Sequence, residues 1–140
     1  MSAIYLELAT LKPPRMPNNW LVAPPHVVPA KPDQAAPAFD YSASQVAQKW
    51  LAVIERQPRT AVLGVAGDGL QIEAEQRSAV FGFIDRISTR FVPLESRRST
   101  VIAYSRSLVG FWDLGVNRSR LRRWLSELAE QLGRSAGSAR

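Results

Sequence analysis

The chain has 140 residues, 46% of them apolar, and carries 18 Lys and Arg against 12 Asp and Glu, a formal net charge of +6. That size and composition fit one soluble, basic domain with a modest core. The absence of Cys excludes disulfides, a thiolate nucleophile and Cys-ligated metal centres, and a single His, His26, excludes paired-His sites; no cofactor or metal is expected.

The chain opens on Ile4, Tyr5, Leu6 and Leu8, a short apolar run that fits a strand or one helical turn equally. It has no early basic region and carries Glu7 inside its apolar stretch, so it does not read as a signal peptide. No window approaches the roughly 18–20 apolar residues that span a bilayer. A cytoplasmic protein, with a peripheral membrane association left open, is the expectation.

Residues 13–37 hold eight of the ten prolines. Proline fixes φ, removes a donor and pushes its predecessor out of the helical region. An extended arm over residues 1–38 is therefore expected, with no regular helix and no central strand. Its Trp20, Val22 and Val27 are apolar side chains that need cover. The arm either lies on its own domain, docks these residues on a partner, or stays mobile. His26, among Pro24, Pro25 and Pro29, is poorly mounted for catalysis.

A single α+β domain is expected over residues 39–133. Asp40 or Ser42 can cap a helix over residues 43–57, where Val46, Trp50, Val53 and Ile54 make one apolar stripe before Pro58 stops it. Residues 60–65 and 70–77 read as a β-hairpin around Ala66-Gly67-Asp68-Gly69. A third strand over residues 80–92 alternates, placing Phe81, Phe83, Asp85, Ile87 and Phe91 on a buried face. Residues 94–99 make a charged turn, and a fourth strand follows over residues 100–108. Asn117 can cap the final helix, whose Leu121, Trp124, Leu125, Leu128 and Leu132 fall at helical spacing, with Gly133 in the terminating position. Residues 134–140 are expected to be a frayed tail. The order α-β-β-β-β-α predicts a four-stranded antiparallel sheet with two main helices on one face.

Charge is uneven along this plan. Residues 1–70 hold 6 basic and 5 acidic side chains, and residues 71–140 hold 12 and 7. Arg118, Arg120, Arg122 and Arg123 sit on the last helix, which reads as a solvated face or as a contact for phosphates. No nucleic-acid-binding motif accompanies them, which argues against a nucleic-acid partner.

The segment with most chemistry is YSRSLVGFWDLGVNRSR, residues 104–120. Two glycines, Gly110 and Gly115, match neither the P-loop nor the dinucleotide spacing. The segment is either a structural strand–loop–helix corner or an anion site, with Tyr104, Ser105, Arg106, Trp112, Asp113, Asn117, Arg118 and Arg120 as its binding candidates. Asp85 is the one buried carboxylate expected, paired structurally with Arg106 or with loop amides. A catalytic role would need a second titratable group, and Asp113 is the natural one.

These residues resemble a known family. Gly110 to Leu121, GFWDLGVNRSRL, is similar to the C-terminal motif of the domain of unknown function 1499 family, roughly G-x-x-D-x-G-V-N-R-x-R. Tyr104-Ser105-Arg106-Ser107 resembles its Ser-rich basic strand, Phe81-Gly82-Phe83-Ile84-Asp85 its F-x-D-D strand, and Met16-Pro17-Asn18-Asn19 its P-N-C motif. This member departs from the pattern: Asn19 stands where the family usually has Cys, Arg86 at the second acidic position, and Leu108 for a usual Arg. Many members carry an N-terminal membrane or lipoprotein anchor. The resemblance implies a fold and assigns no reaction.

The leading expectation is a non-enzymatic interaction domain serving a protein complex or an anionic surface. The rivals are a ligand or anion binder, or enzyme, using Asp85, Asp113, Arg106 and Arg118, and a weak nucleic-acid binder.

Overall fold

In a computed structural model of the chain, residues 4–110 and 112–138 are described, with side chains up to residue 133. Residues 1–3 of the expected arm, residues 139–140 of the expected tail and Phe111 of the C-terminal motif lie outside the described residues. The elements are β1 (Asn19–Ala23), β2 (Gln34–Ala35), α1 (Ala43–Glu55), β3 (Thr60–Val65), β4 (Gln71–Arg77), β5 (Ile84–Pro93), β6 (Ser99–Ser107) and α2 (Val116–Ser138). A short 3-10 turn, Leu8–Thr10, precedes them.

The α+β class holds, and both main helices lie on one face of the sheet. The sheet itself is six-stranded and mixed, in the order β2-β1-β6-β5-β4-β3, where four antiparallel strands were expected. The difference lies among the prolines. Between Pro17 and Pro24 runs a six-residue stretch with free N–H groups, and β1 uses it to pair antiparallel with β6 from Asn19↔Arg106 to Val22↔Ala103. The two-residue β2, between Pro32 and Pro37, adds in parallel on the outer side of β1. A strand with neighbours on both sides thus occupies a segment where no central strand was expected. Proline bars a strand only where its missing N–H would be needed.

Alternation divides the sheet into two buried faces. Val22, Ile72, Ala74, Ile87, Phe91, Val101 and Ala103 face the helices. There they meet Val46, Trp50, Val53 and Ile54 of α1 and Leu121, Trp124, Leu125, Leu128 and Leu132 of α2. Trp50 lies edge-on to both Phe91 and Trp124, at 6.0 and 5.9 Å between ring centroids. On the opposite face Leu21, Ala23, Ile102 and Tyr104 are covered by Leu8 and Val28, with Leu6, Leu11 and Ala30 at the edge.

Glu73 belongs to this second face and is fully buried. It accepts from Ser88 Oγ at 2.5 Å, Gln71 Nε2 at 2.9 Å and the Leu6 N–H at 3.1 Å. Gln71 Nε2 in turn donates to the Leu6 carbonyl at 2.8 Å. The carboxylate therefore holds the N-terminal segment against the sheet. The sequence reading missed it, because Glu73 alternates with apolar residues as a solvent-facing position would.

The hairpin forms around residues 66–69 as expected, with Gly69 at φ 76° and Asp68 bonded to Arg90 at 2.6 Å. Three local expectations are corrected. β5 starts at Ile84, so Phe81 and Phe83 stand in a turn closed by Ser78 N–H to the Phe83 carbonyl at 2.9 Å and are exposed. α2 passes through Gly133 to Ser138, so that glycine does not end it. Asn117 does not cap α2, because its side chain is buried against the sheet; Asp113 accepts instead from the N–H groups of Gly115 at 2.8 Å and Asn117 at 3.3 Å.

At α1 the cap is Ser42, whose Oγ accepts from Gln45 N–H at 3.2 Å while Gln45 Oε1 accepts from Ser42 N–H at 3.0 Å. Ser42→Ala removes one half of this reciprocal pair, and a loss of about 1 kcal/mol is expected. Urea unfolding checks it, as a lower midpoint with an unchanged slope.

Candidate functional site

The segment joining β6 to α2 lies at one end of the sheet. Asp85 at the start of β5 stands opposite Ser107 at the end of β6, and the Leu108 N–H donates to the Ile84 carbonyl at 3.2 Å. The β4–β5 turn, residues 78–83, is at the same end, because Arg77 pairs with Ile84. Here the candidate residues separate into an interior group and an exterior group.

Arg120 centres the interior group and is 4% exposed. Its NH2 donates to Asp85 Oδ2 at 2.7 Å, its Nε to Gln76 Oε1 at 2.6 Å, and its NH1 to Ser105 Oγ at 2.9 Å and Asn117 Oδ1 at 2.8 Å. Asn117 extends the network. Its Oδ1 also accepts from Ser105 Oγ at 2.6 Å, and its Nδ2 lies 2.6 Å from Asp113 Oδ2, 3.0 Å from Ser107 Oγ and 3.1 Å from the Asn18 carbonyl. Asn18 Nδ2 donates to the Gly110 carbonyl at 3.0 Å, and Asn19 Nδ2 donates to the carbonyls of Met16 and Pro14 and to Asn18 Oδ1. The loop before β1, the end of β6 and the start of α2 thus share one hydrogen-bonded lattice.

Two expectations about this group are corrected. Arg120 is not part of a solvated arginine face; it is buried, while Arg118, Arg122 and Arg123 are exposed. Asp85 pairs with Arg120 and not with Arg106. The reason is register: residues directly opposite on antiparallel strands share a face, and Arg106 is opposite Arg86, one position out of phase with Asp85. Arg106 points to the other side, where its NH1 donates to Ser88 Oγ at 3.0 Å and its guanidinium lies 5.4 Å over the Tyr104 ring. Burial there raises the Tyr104 phenol above its usual pKa and lowers that of Arg106. Of the four residues proposed for an acid–base or anion pocket, Asp85 and Asp113 both join the interior lattice, Arg106 lies on the opposite face of the sheet and Arg118 is exposed.

Two clefts flank the corner, with Gly115 lining both. The larger, about 890 Å³, runs between the proline-rich loops and the start of α2; Arg15, Lys31, Trp20, Trp112, Asp113 and Arg118 are among its lining residues. Trp20 is anchored by Nε1 to Gln34 Oε1 at 3.0 Å and carries the Arg118 guanidinium 5.3 Å above its ring. The smaller, about 300 Å³, includes Arg59, Arg77, Asp85, Leu114, Arg120 and Arg123. Asp113 thus lines one cleft and Asp85 the other. Of the three arm residues proposed as partner contacts, Val22 is fully buried in the core and unavailable, Trp20 is half-buried and Val27 is exposed.

Of the exterior group, only Trp112 was among the expected binding residues. Val80 is 83% exposed, Phe81 73%, Trp112 66% and Leu114 74%, and Phe83, Leu108, Val109 and Val116 are also exposed. All eight lie on the 78–83 turn, the 108–115 loop or the first residue of α2. Leu114 holds a left-handed φ of 57°, between Asp113 and Gly115 at φ 79°, a conformation that is unfavourable for a branched side chain and turns it away from the core. The signal in sequence was present as Val80-Phe81 and Leu108-Val109, but the expected strands took in the first pair and Leu108.

Among the described residues no group of three or more His, Asp or Glu side chains is arranged to hold a metal ion, and no helix is long and apolar enough to cross a membrane. The pattern Asp113-x-Gly115-Val116-Asn117-Arg118-x-Arg120 now has a physical account, with Asp113, Asn117 and Arg120 as the lattice that joins helix to sheet. Residues 11–128 match the model of the family described as Protein of unknown function (DUF1499). The chain belongs to this family. No curated protein and no solved structure matches it. The family match covers β1 and the greater part of α2, so it includes every member of the lattice.

A buried ion pair stripped of one partner leaves an uncompensated charge or several unsatisfied donors. Arg120→Met is therefore expected to cost about 3–5 kcal/mol, and Asn117→Ala about 2–4 kcal/mol through the groups it orphans. The double variant Asp85→Ala/Arg120→Met loses less than the sum of its singles, because the two share one interaction. Urea denaturation of the three variants and the double checks this.

Proposed function

We propose that this chain is a non-enzymatic interaction domain that docks through the end of the sheet carrying residues 78–83 and 108–116. One observation supports this reading above others. The polar side chains of the corner bond one another, while the apolar side chains beside them face solvent. A catalytic centre would need reactive groups left free to meet a substrate, and apolar walls excluding water. Isolated exposed apolar residues are ordinary, but a gathering of eight at one end marks a contact surface.

The enzyme reading with Asp85, Asp113, Arg106 and Arg118 loses its geometric basis. Asp85 is committed to Arg120, Asp113 to Asn117 and the backbone, and Arg106 is on the opposite face. A ligand-binding reading keeps one supporting feature, the larger cleft, where Arg15, Lys31 and Arg118 gather beside Trp112. That cleft opens beside the proposed docking end and fits the same partner-facing role. Accessory membership in a protein complex and attachment to an anionic surface are both forms of this proposal.

A photo-crosslinking residue placed at Phe81 or Leu114 in cells tests it. Adducts are expected at both positions and not at Glu95, an exposed site in the β5–β6 turn at the opposite end of the sheet. Equal yields at all three positions, or none at 81 and 114, would overturn the docking end.

A further inference from the structure

We infer that the partner of this end is the surface of an anionic lipid bilayer, an inference that rests on the docking reading above. Its first support is the shape of the apolar group. Val80 and Phe81 stand on one turn, Leu108, Val109, Trp112 and Leu114 on a neighbouring loop, and Val116 opens α2. They project from loop tips: Trp112 borders the larger cleft and Leu114 and Val116 the smaller, while Val80, Phe81, Leu108 and Val109 line neither. Phe81 and Phe83 stack on each other at 5.4 Å between centroids, which keeps the turn's aromatic bulk outside the core. Protruding apolar tips with an exposed Trp suit a surface whose polar headgroups overlie hydrocarbon.

Charge gives the second support. Arg59, Arg77 and Arg123 border the smaller cleft, and Arg15, Lys31 and Arg118 the larger, so exposed cations flank the corner on two sides. The carboxylates at this end are already engaged. Asp85 is held by Arg120, Asp113 by Asn117 and the Gly115 N–H, Glu75 lies 3.8 Å from Arg86 and 3.9 Å from Arg77, and Asp33, which also lines the larger cleft, accepts from the Leu21 N–H at 2.8 Å. The face therefore offers net positive charge around an apolar centre. A duplex or single-stranded nucleic acid would answer the charge and leave the aliphatic tips in water. An anionic bilayer answers both, with headgroup phosphates near the arginines and the tips below them.

A third support is anchorage. Asn18 donates to the Gly110 carbonyl, and Asp113 bonds Asn117 and the Gly115 N–H, so Trp112 and Leu114 stand between positions tied to the lattice, which lowers the ordering cost of presenting them.

Flotation of the full chain with vesicles tests the inference. Vesicles of phosphatidylglycerol and phosphatidylcholine in equal parts should carry the protein upward at low salt, and phosphatidylcholine alone should not. Binding should weaken steeply as salt is raised. Phe81→Ser/Leu114→Ser changes only exposed side chains, should leave Tm unchanged, and should reduce partition by about tenfold or more. Arg77→Gln/Arg123→Gln should reduce it by roughly fivefold per charge removed and flatten the salt dependence. Trp112 emission should shift to the blue on binding, a shift that Trp112→Phe abolishes while flotation persists.

The failures are separable. No flotation with anionic vesicles at low salt, alongside adducts at positions 81 and 114 in cells, overturns the lipid and leaves the docking end standing with a protein partner. Flotation that the double-serine variant retains in full overturns the docking end itself. Equal flotation with neutral vesicles overturns the requirement for anionic lipid.

Discussion

The buried guanidinium of Arg120 is the constraint on which the rest of this domain depends. From one position on α2 it reaches β4 through Gln76, β5 through Asp85 and β6 through Ser105, three strands adjacent in the sheet. Removing a charge from water is costly, and such a group is tolerated only where its donors find well-placed acceptors. Here four side chains supply them. Apolar packing alone would let a helix slide or rotate on a sheet at modest cost, since hydrophobic contact is not directional. The guanidinium admits one position of the helix.

That position decides the loops. Once Arg120 and Asn117 are fixed, the chain between Ser107 and Val116 must close over the end of β5, with Asp113 satisfying the first N–H groups of the helix. Glycines at φ 83° and 79° make the turns, and Leu114 is left pointing outward. The same lattice takes in Asn18, which sets where β1 joins β6. The interior polar network and the exposed apolar tips are therefore two sides of one arrangement. Exposure of the tips is a consequence of where the corner is locked, and the proposed contact surface follows from it.

The sheet has a second set of dependencies on its other face. Glu73, Ser88, Gln71 and Arg106 are polar groups on a surface that the helices never touch, and the N-terminal segment covers part of it through Leu6 and Leu8. A sheet packed on both faces needs cover on both, and a chain of this length has two long helices for only one of them. The proline-bearing segment supplies the remaining cover, in a conformation that needs few hydrogen bonds of its own because proline lacks the donor.

Local patterns were enough to read α1 with a cap at Asp40 or Ser42, the hairpin at residues 66–69, the apolar stripe of α2 and the strand–loop–helix corner, because each rests on periodicity or on residues close in the chain. The Asp113-to-Arg120 pattern also carried the family resemblance, since its spacing is local. Composition alone excluded thiol, disulfide and paired-His chemistry. Tertiary structure decided what depends on partners distant in sequence. Pairing of Asn19–Ala23 with Ser99–Ser107 spans some eighty residues, and nothing in either segment names the other. Register put Asp85 with Arg120 and sent Arg106 to the opposite face, a choice that one residue of phase controls. Burial of Glu73 followed from the N-terminal cover, and exposure of Phe81 and Phe83 from a turn that consumed the positions where alternation predicted strand. Residue types set which chemistries were possible, and the three-dimensional pairing set which side chains were left free to meet a partner.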